Sequence, residues 1–157
     1  MKKNVNIKIT SNQYIENLKE SGEAFRRELE LEDTTEIYTE GTVFSRNNAT
    51  YITYEGNDGY SDEEVRTLFK LEDDSIRIRK YAKDDDEGMD MMLRPGVLNI
   101  TRYQVPMLPT LNLEVYTNSL EKDINENGIG KVSVDYKIKL DKFYSRRNIL
   151  EIEVQEA

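Results

Sequence analysis

The sequence predicts an all-β protein, an antiparallel up-and-down β-barrel of about 8–10 strands with a helical or irregular insertion near the N-terminus. Three observations lead to this class. From residue 34 onward, apolar and polar residues alternate with a period of two almost everywhere. Turn signals separate the alternating runs, and strand-forming residues such as tyrosine, which occurs 10 times, are abundant. With 157 residues in all, we expect residues 1–157 to form a single domain.

The N-terminal part divides into a strand and an insertion. Residues 4–10 (NVNIKIT) alternate cleanly and predict the first strand. Residues 11–33 are more highly charged, and Ser11 could cap a helix. An amphipathic helix packed on the barrel is the favoured interpretation, and a long hairpin or a mobile insertion is the alternative. The helical spacing rests on Tyr14, Leu18, Phe25 and Leu29.

The rest of the chain predicts nine further short strands. Residues 96–117 contain two of them, joined by a turn that carries Pro106 and Pro109. Two polar stretches, residues 83–88 and 118–128, are expected to be loops. The other seven strands are predicted at residues 36–44, 50–55, 65–71, 75–81, 89–94, 131–140 and 148–154.

The acidic composition argues against nucleic-acid and membrane partners. The 22 basic and 31 acidic residues give a formal net charge of −9, which repels phosphate backbones and anionic lipids. No apolar run approaches the roughly 20 residues that span a bilayer, and the basic start is followed by an alternating segment. We expect a cytoplasmic monomer or homodimer. A local basic face offsets the charge in part, at Arg77, Arg79, Lys80, Arg94 and Arg102.

The absence of two residue types excludes most catalytic sites. The sequence has no Cys and no His, which rules out disulfides, Cys/His zinc sites, His-ligated haem and Ser-His-Asp triads. A catalytic base would have to be Lys, Tyr or a carboxylate, and no spacing singles one out. The acidic run at residues 83–87 is typical of a solvated loop. We therefore predict no catalysis and no cofactor.

One segment resembles half of a calcium-binding loop. Residues 123–128 (DINENG) match its first six positions, but its twelfth position holds Val134 instead of a bidentate glutamate. The pair Asn127-Gly128 is also a strong hairpin signal. We therefore predict a hairpin turn and no metal site.

Scattered positions along the chain resemble a known family. Nine features of the sequence occur in the same order as in this family and at similar spacing: Gly41, residues 51–55 (YITYE), Thr67, Gly96, Tyr103, Pro106, Thr117, Gly130 and Tyr136. By these positions, over about residues 34–154, the chain resembles the YwiB-like family of bacterial proteins. The resemblance implies a closed calycin-like, or lipocalin-like, β-barrel with a central cavity and a small-ligand role.

The chain departs from this family at three places, one of which is the insertion at residues 11–33, longer than the family leads us to expect. The family's Arg-x-Gly triplet aligns with residues 80–82, and a one-residue shift would place Arg79 in the arginine position instead of Lys80. The parity of the strand favours Lys80. The family's Thr-Pro-x-Gly turn corresponds to residues 105–109, which lack the glycine. The other two departures concern the residues that would contact a ligand.

Alternation within an up-and-down barrel predicts a ligand site at one mouth. Seven polar residues have inward parity and lean to the same end, above an apolar floor, while Thr117 is expected at the opposite end. The alternative is that these side chains bond one another or water. Lys80 could bind an anionic head group or extend to solvent. The predicted site comprises Thr39, Tyr54, Thr67, Lys80, Tyr103, Tyr136 and Asn148.

Two functions follow from this pattern. The first is binding of a small anionic or amphipathic ligand in the barrel mouth. The second is a protein-interaction or assembly module, in which an exposed strand or residues 11–33 dock a partner. Outward tyrosines would suit such an interface; they are Tyr38, Tyr51 and Tyr116.

Overall fold

A computed structural model describes residues 2–21, 24–57, 64–82, 85–103, 111–140 and 144–157. Side chains are described for residues 2–16, 28–56, 66–81, 90–100, 112–140 and 145–157. Within the described segments there is no helix long and apolar enough to cross a membrane. They form ten strands: β1 (Lys3–Ser21), β2 (Ala24–Arg46), β3 (Ala49–Asn57), β4 (Glu64–Leu71), β5 (Ile76–Ala82), β6 (Asp85–Leu93), β7 (Leu98–Tyr103), β8 (Leu111–Ile124), β9 (Gly130–Leu140) and β10 (Tyr144–Glu156).

All ten strands belong to one antiparallel sheet with the order β6-β5-β4-β3-β2-β1-β10-β9-β8-β7. Among the described residues, strands that are neighbours along the chain pair with each other, except β6 and β7, and β1 pairs with β10 as well as with β2. This is the up-and-down arrangement that the alternation predicts, so the all-β antiparallel fold is confirmed.

The closed barrel implied by the resemblance is not observed, because no ladder in the described part of the chain joins β6 to β7. The connection between them is tied to β8 instead. Pro95 has no amide hydrogen to donate, and the amide of Gly96 donates to the carbonyl of Thr117 at 2.9 Å. Across the seam, Asn99 Nδ2 donates to the carbonyl of Met92 at 2.9 Å. The barrel is therefore open at one seam that side-chain and turn contacts bridge.

The core lies on the inner face of the curved sheet. On β9, Val132, Val134 and Tyr136 are buried, whereas the residues between them are more exposed. Alternate residues of β1–β6 and β8–β10 contribute apolar side chains to one cluster. Its largest fully buried members are Ile7, Ile52, Ile76, Leu93 and Ile152.

The predicted helix at residues 11–33 is wrong, and the hairpin alternative is correct. β1 and β2 pair continuously from Lys3 and Val43 to Ser21 and Ala24. A spacing of four residues is even, so it keeps two residues on one face of a strand as well as of a helix. The register shifts between Gln13 and Tyr14, where Glu32 of β2 has no register partner. This extra residue interrupts the alternation of β2 and hid the strand pattern in the sequence.

A second bulge explains why residues 118–128 were predicted as a loop. The register of β8 against β9 shifts between Thr117 and Ser119. Before the shift the inward residues are odd-numbered, and after it Leu120 and Ile124 pack on the core. β8 therefore continues to Ile124 with its parity reversed. The other predicted loop, residues 83–88, is a strand from Asp85 onward.

The turn between β8 and β9 is a hairpin connection, as the Asn-Gly pair predicts. Asn125 Oδ1 accepts hydrogen bonds from the amides of Asn127 at 2.9 Å and Ile129 at 3.1 Å. At the end of this turn, Gly130 has a φ of +143°, and an added Cβ would lie 2.8 Å from the Cα of Ile124. Only glycine fits this backbone without a shift.

Ion pairs between neighbouring strands line the outer face of the sheet. Arg147 donates to both carboxylate oxygens of Asp135, at 2.9 and 2.5 Å. Arg77 donates in the same bidentate way to Asp90, at 2.9 and 2.7 Å. Each guanidinium holds the pKa of its partner carboxyl below the ordinary value.

Replacing Gly130 tests the tight turn. We expect Gly130→Ala to lower the free energy of unfolding by about 2 kcal/mol or more, because left-handed strain adds to backbone overlap. Gly96→Ala is the matched control, since Gly96 also has a positive φ, +77°, but no atom lies within 4 Å of an added Cβ. Gly96→Ala should lower the free energy of unfolding only by the backbone strain, about 1 kcal/mol. Urea unfolding measures both, and equal losses would contradict the overlap.

The Asp135 carboxylate makes stability depend on pH. Its folded pKa is depressed, so its contribution is present above the unfolded pKa and lost as the pH falls through the folded pKa. We expect Asp135→Asn to lower the free energy of unfolding by about 1 kcal/mol at pH 7, and by less below pH 4. The exposed Asp73→Asn is the control. A deficit that stays constant between pH 7 and pH 3 would contradict this role.

Candidate functional site

Three of the predicted site residues stand side by side on the inner face of β3, β4 and β5. Tyr54 is the register partner of Thr67, and Thr67 is the partner of Lys80. Thr67 is buried, while Tyr54 and Lys80 are half-buried. The ring of Tyr54 packs against Phe69, with the ring centroids 6.1 Å apart. The structure thus forms a polar row that ends in a cation.

The register also shows which of Arg79 and Lys80 faces inward. Lys80 shares its face with the buried Ile78, two residues earlier, as the parity argument predicts. Arg79 points to the outer face, where its Nε lies 3.5 Å from Asp90. The cation on the inner face of β5 is therefore Lys80.

Two further predicted residues belong to a second polar row on β10 and β9. Asn148 is the register partner of both Tyr136 and Gln13. Asn148 and Tyr136 are buried within the core. Tyr136 in turn pairs with Thr117 on β8, so the row continues across four strands.

The position of Thr117 differs from the prediction that it lies at the far end of the barrel. That prediction took β8 to end near residue 117, but the strand continues beyond its bulge to Ile124. Thr117 is consequently a mid-strand residue next to Tyr136. Its side chain is fully buried, and Thr117 Oγ1 has no hydrogen-bond partner among the described residues.

The remaining two predicted residues do not join either row. Thr39 pairs with Ile7, and its hydroxyl donates to the carbonyl of Glu40 at 3.3 Å. The ladder between β2 and β3 ends at Gly41, so Thr39 has no register partner in β3 among the described residues. The backbone of Tyr103 pairs with Leu111, but its side chain lies outside the described residues, as does the predicted turn with Pro106 and Pro109.

Three residues missed by the sequence analysis lie next to the second row. Glu32 accepts a hydrogen bond from Gln13 Nε2 at 2.7 Å and from Arg146 Nε at 2.9 Å. The Arg146 guanidinium, followed by the Gln13 amide, holds the pKa of Glu32 below its ordinary value. Gln13 has the same parity as the buried Ile9, so interpreting residues 11–33 as a hairpin would have found it.

Apolar residues border both rows. Beside Tyr54 and Thr67 on the same inner face lie Ile52, Phe69 and Ile78, which are buried. Beside Asn148 and Tyr136 lie Leu150 and Val134 in the same way. Polar groups that converge on an apolar wall are typical of small-molecule sites.

Comparison with known proteins shows a relationship over most of the chain. Residues 21–152 match a family described as "Domain of unknown function (DUF1934)". The crystal structure of the ywiB protein from Bacillus subtilis superposes with a TM-score of 0.63, at 16% identity, over 98% of this chain and 93% of that chain. No curated protein matches the sequence. The likeness to the ywiB structure confirms the shared β fold, and the family match shows that this chain belongs to the DUF1934, or YwiB-like, family.

Proposed function

We propose that this protein binds a small amphipathic anion on the inner face of its sheet, in the cytoplasm and without catalysing a reaction. The head group would contact the polar rows, and the apolar part would lie along the buried aliphatic and aromatic side chains beside them. Neither nucleic acid nor membrane takes part in this proposal, because the net charge of −9 disfavours both.

The observation that carries the proposal is the buried hydroxyl of Thr117. A buried polar group without a partner costs about 1–3 kcal/mol. Thr117 is fully buried and Oγ1 lacks a partner among the described residues, while Tyr136 stands directly beside it. A ligand head group that displaced the neighbouring side chains and reached Oγ1 would relieve this cost, which supports a binding role for the row.

Lys80 supports a preference for anions. It places a positive charge at the end of the Tyr54–Thr67 row, at a half-buried position where a charge interaction is screened less than on the surface. A carboxylate or phosphate would add to the interactions that Lys80 already makes. The aliphatic stem of the lysine would cover part of an apolar tail.

A Lys80→Met variant tests the charge. We expect dodecanoate to raise the melting temperature of the wild type, and Lys80→Met to weaken its binding by about tenfold, the value of one charge-assisted hydrogen bond. Lys139→Met is the matched control, because Lys139 is exposed on the outer face of β9. Calorimetric titration with dodecanoate and with dodecanol measures both variants. Equal affinities for the acid and the alcohol, or equal losses in both variants, would contradict the proposal.

A Thr117→Val variant tests the buried hydroxyl. Removing a polar group that lacks a partner should leave the free energy of unfolding unchanged or raise it by up to about 1 kcal/mol, while weakening dodecanoate binding. Thr42→Val is the control, since Thr42 Oγ1 lies 2.7 Å from Thr53 Oγ1 on the outer face. It should lose stability and keep its affinity. A large loss of stability in Thr117→Val would show that the hydroxyl is structural.

A second function is favoured by the long hairpin. Among the described residues, residues 15–21 of β1 have no register partner in β10. Residues 24–40 of β2 likewise have no register partner in β3. This part of the hairpin exposes apolar residues, Leu29 by 43% and Leu31 by 55%. Such exposure supports the interaction-module alternative, in which the protein docks a partner in addition to, or instead of, holding a small ligand.

A further inference from the structure

One edge of β2 has no neighbouring strand among the described residues on the N-terminal side of Gly41, where β2 separates from β3. The β2–β3 ladder runs from Arg46 and Ala49 to Gly41 and Tyr54, and it stops there. Residues 33–40 continue to pair with β1, and residues 55–57 of β3 pair with β4. Among the described residues, the backbone groups of residues 33–40 that face β3 thus have no ladder partner.

Gly41 marks the place of separation. An added Cβ there would lie 2.6 Å from Ile7 Cδ1 and would overlap the carbonyl oxygen of Thr53. The backbones of β2 and β3 therefore approach more closely here than a larger residue would allow. Glycine within a strand commonly marks a bend or a close approach of two backbones. On the N-terminal side of Gly41, β2 no longer pairs with β3.

A groove of about 750 Å³ opens on the outer surface at this divergence. Its lining includes Tyr38 and Glu40 from β2 and Glu55 from β3. Tyr38 is 70% exposed, and Lys8 Nζ lies 5.4 Å from the centre of its ring. The groove combines an aromatic platform with a strand edge, which is the arrangement that accepts an added strand.

The charge of the edge selects its partner. Residues 33–40 (DTTEIYTE) contain three acidic residues and no Lys or Arg. At the groove, the carboxylates of Glu40, Glu55 and Glu153 outnumber the single ammonium of Lys8. Pairing with a second copy would bring these segments against each other, and like charges on paired strands are destabilising. A basic segment is complementary.

We propose that the β2 edge at residues 33–40 binds an extended Lys/Arg-rich peptide segment of a partner protein, which adds as a further antiparallel or parallel strand. The backbone of the segment would supply the ladder hydrogen bonds. Its alternate basic side chains would face Glu36, Glu40 and Glu55, and an apolar or aromatic residue would pack on Tyr38. This site is separate from the inner polar rows, so it stands or falls independently of the small-ligand proposal.

Two synthetic peptides test the mode of binding. We expect a fluorescein-labelled KVKVYVK peptide to bind, and a KPKPYPK peptide of the same charge to bind at least tenfold more weakly, because proline lacks the amide donor. Hydrogen exchange should slow at the amides of residues 33–40 when the first peptide is present. Equal affinity of the two peptides, or protection at other segments only, would overturn the proposal.

Charge reversal tests the selection of a basic partner. The double variant Glu36→Lys, Glu40→Lys should weaken KVKVYVK binding by at least tenfold. The double variant Glu121→Lys, Glu126→Lys is the control, because it makes the same change in net charge at exposed positions on β8 and its turn. Similar losses in both would indicate a non-specific charge effect. Self-association that protects residues 33–40 without peptide would assign the edge to a second copy and overturn the proposal.

Discussion

The rest of the structure depends on the pairing of β1 with β10. Every other ladder joins strands that are neighbours in the chain, so each could form as a local hairpin. In the part of the chain that the structure describes, the β1–β10 ladder is the one that joins the half-sheet of β1–β6 to the half-sheet of β7–β10, from Val5 and Glu156 to Tyr14 and Arg147. It places Ile7 beside Val154 and Ile9 beside Ile152 in the core. The same ladder aligns Gln13 with Asn148, so it also builds the second polar row.

The period of two made the fold predictable, and its interruptions limited the prediction. Where alternation is unbroken, as in β3, β4 and β5, parity alone identified the neighbouring Tyr54, Thr67 and Lys80 as inward residues. Parity is lost at a bulge, because one extra residue reverses the faces of everything beyond it. The irregularities beside Gln13 and Thr117 therefore concealed the hairpin and the position of Thr117. Neither of these two register shifts has a signal in the sequence that distinguishes it from the start of a loop.

The inner and outer faces of the sheet carry charge in different ways. On the outside, arginines meet carboxylates in bidentate pairs, as Arg77 does with Asp90 and Arg147 with Asp135. These pairs link adjacent strands, and the two charges within each pair neutralise each other. Inside, Lys80 and Thr117 present single polar groups next to aliphatic side chains. The two proposed sites follow this division, since one uses the polar rows of the inner face and the other uses the acidic edge of β2.

The long-range β1–β10 ladder also shapes how the chain reaches its native state. Because β10 leaves the ribosome after β1–β9, one edge of β1 stays without its partner while the intervening hairpins form. Contacts of such high sequence separation form slowly, and an unpaired edge invites association with other chains. The outward positions of β1 reduce that hazard, since they carry polar side chains and a lysine; they are Asn4, Asn6, Lys8 and Thr10. The polar outer face of β1 thus protects nascent chains as well as solvating the finished sheet.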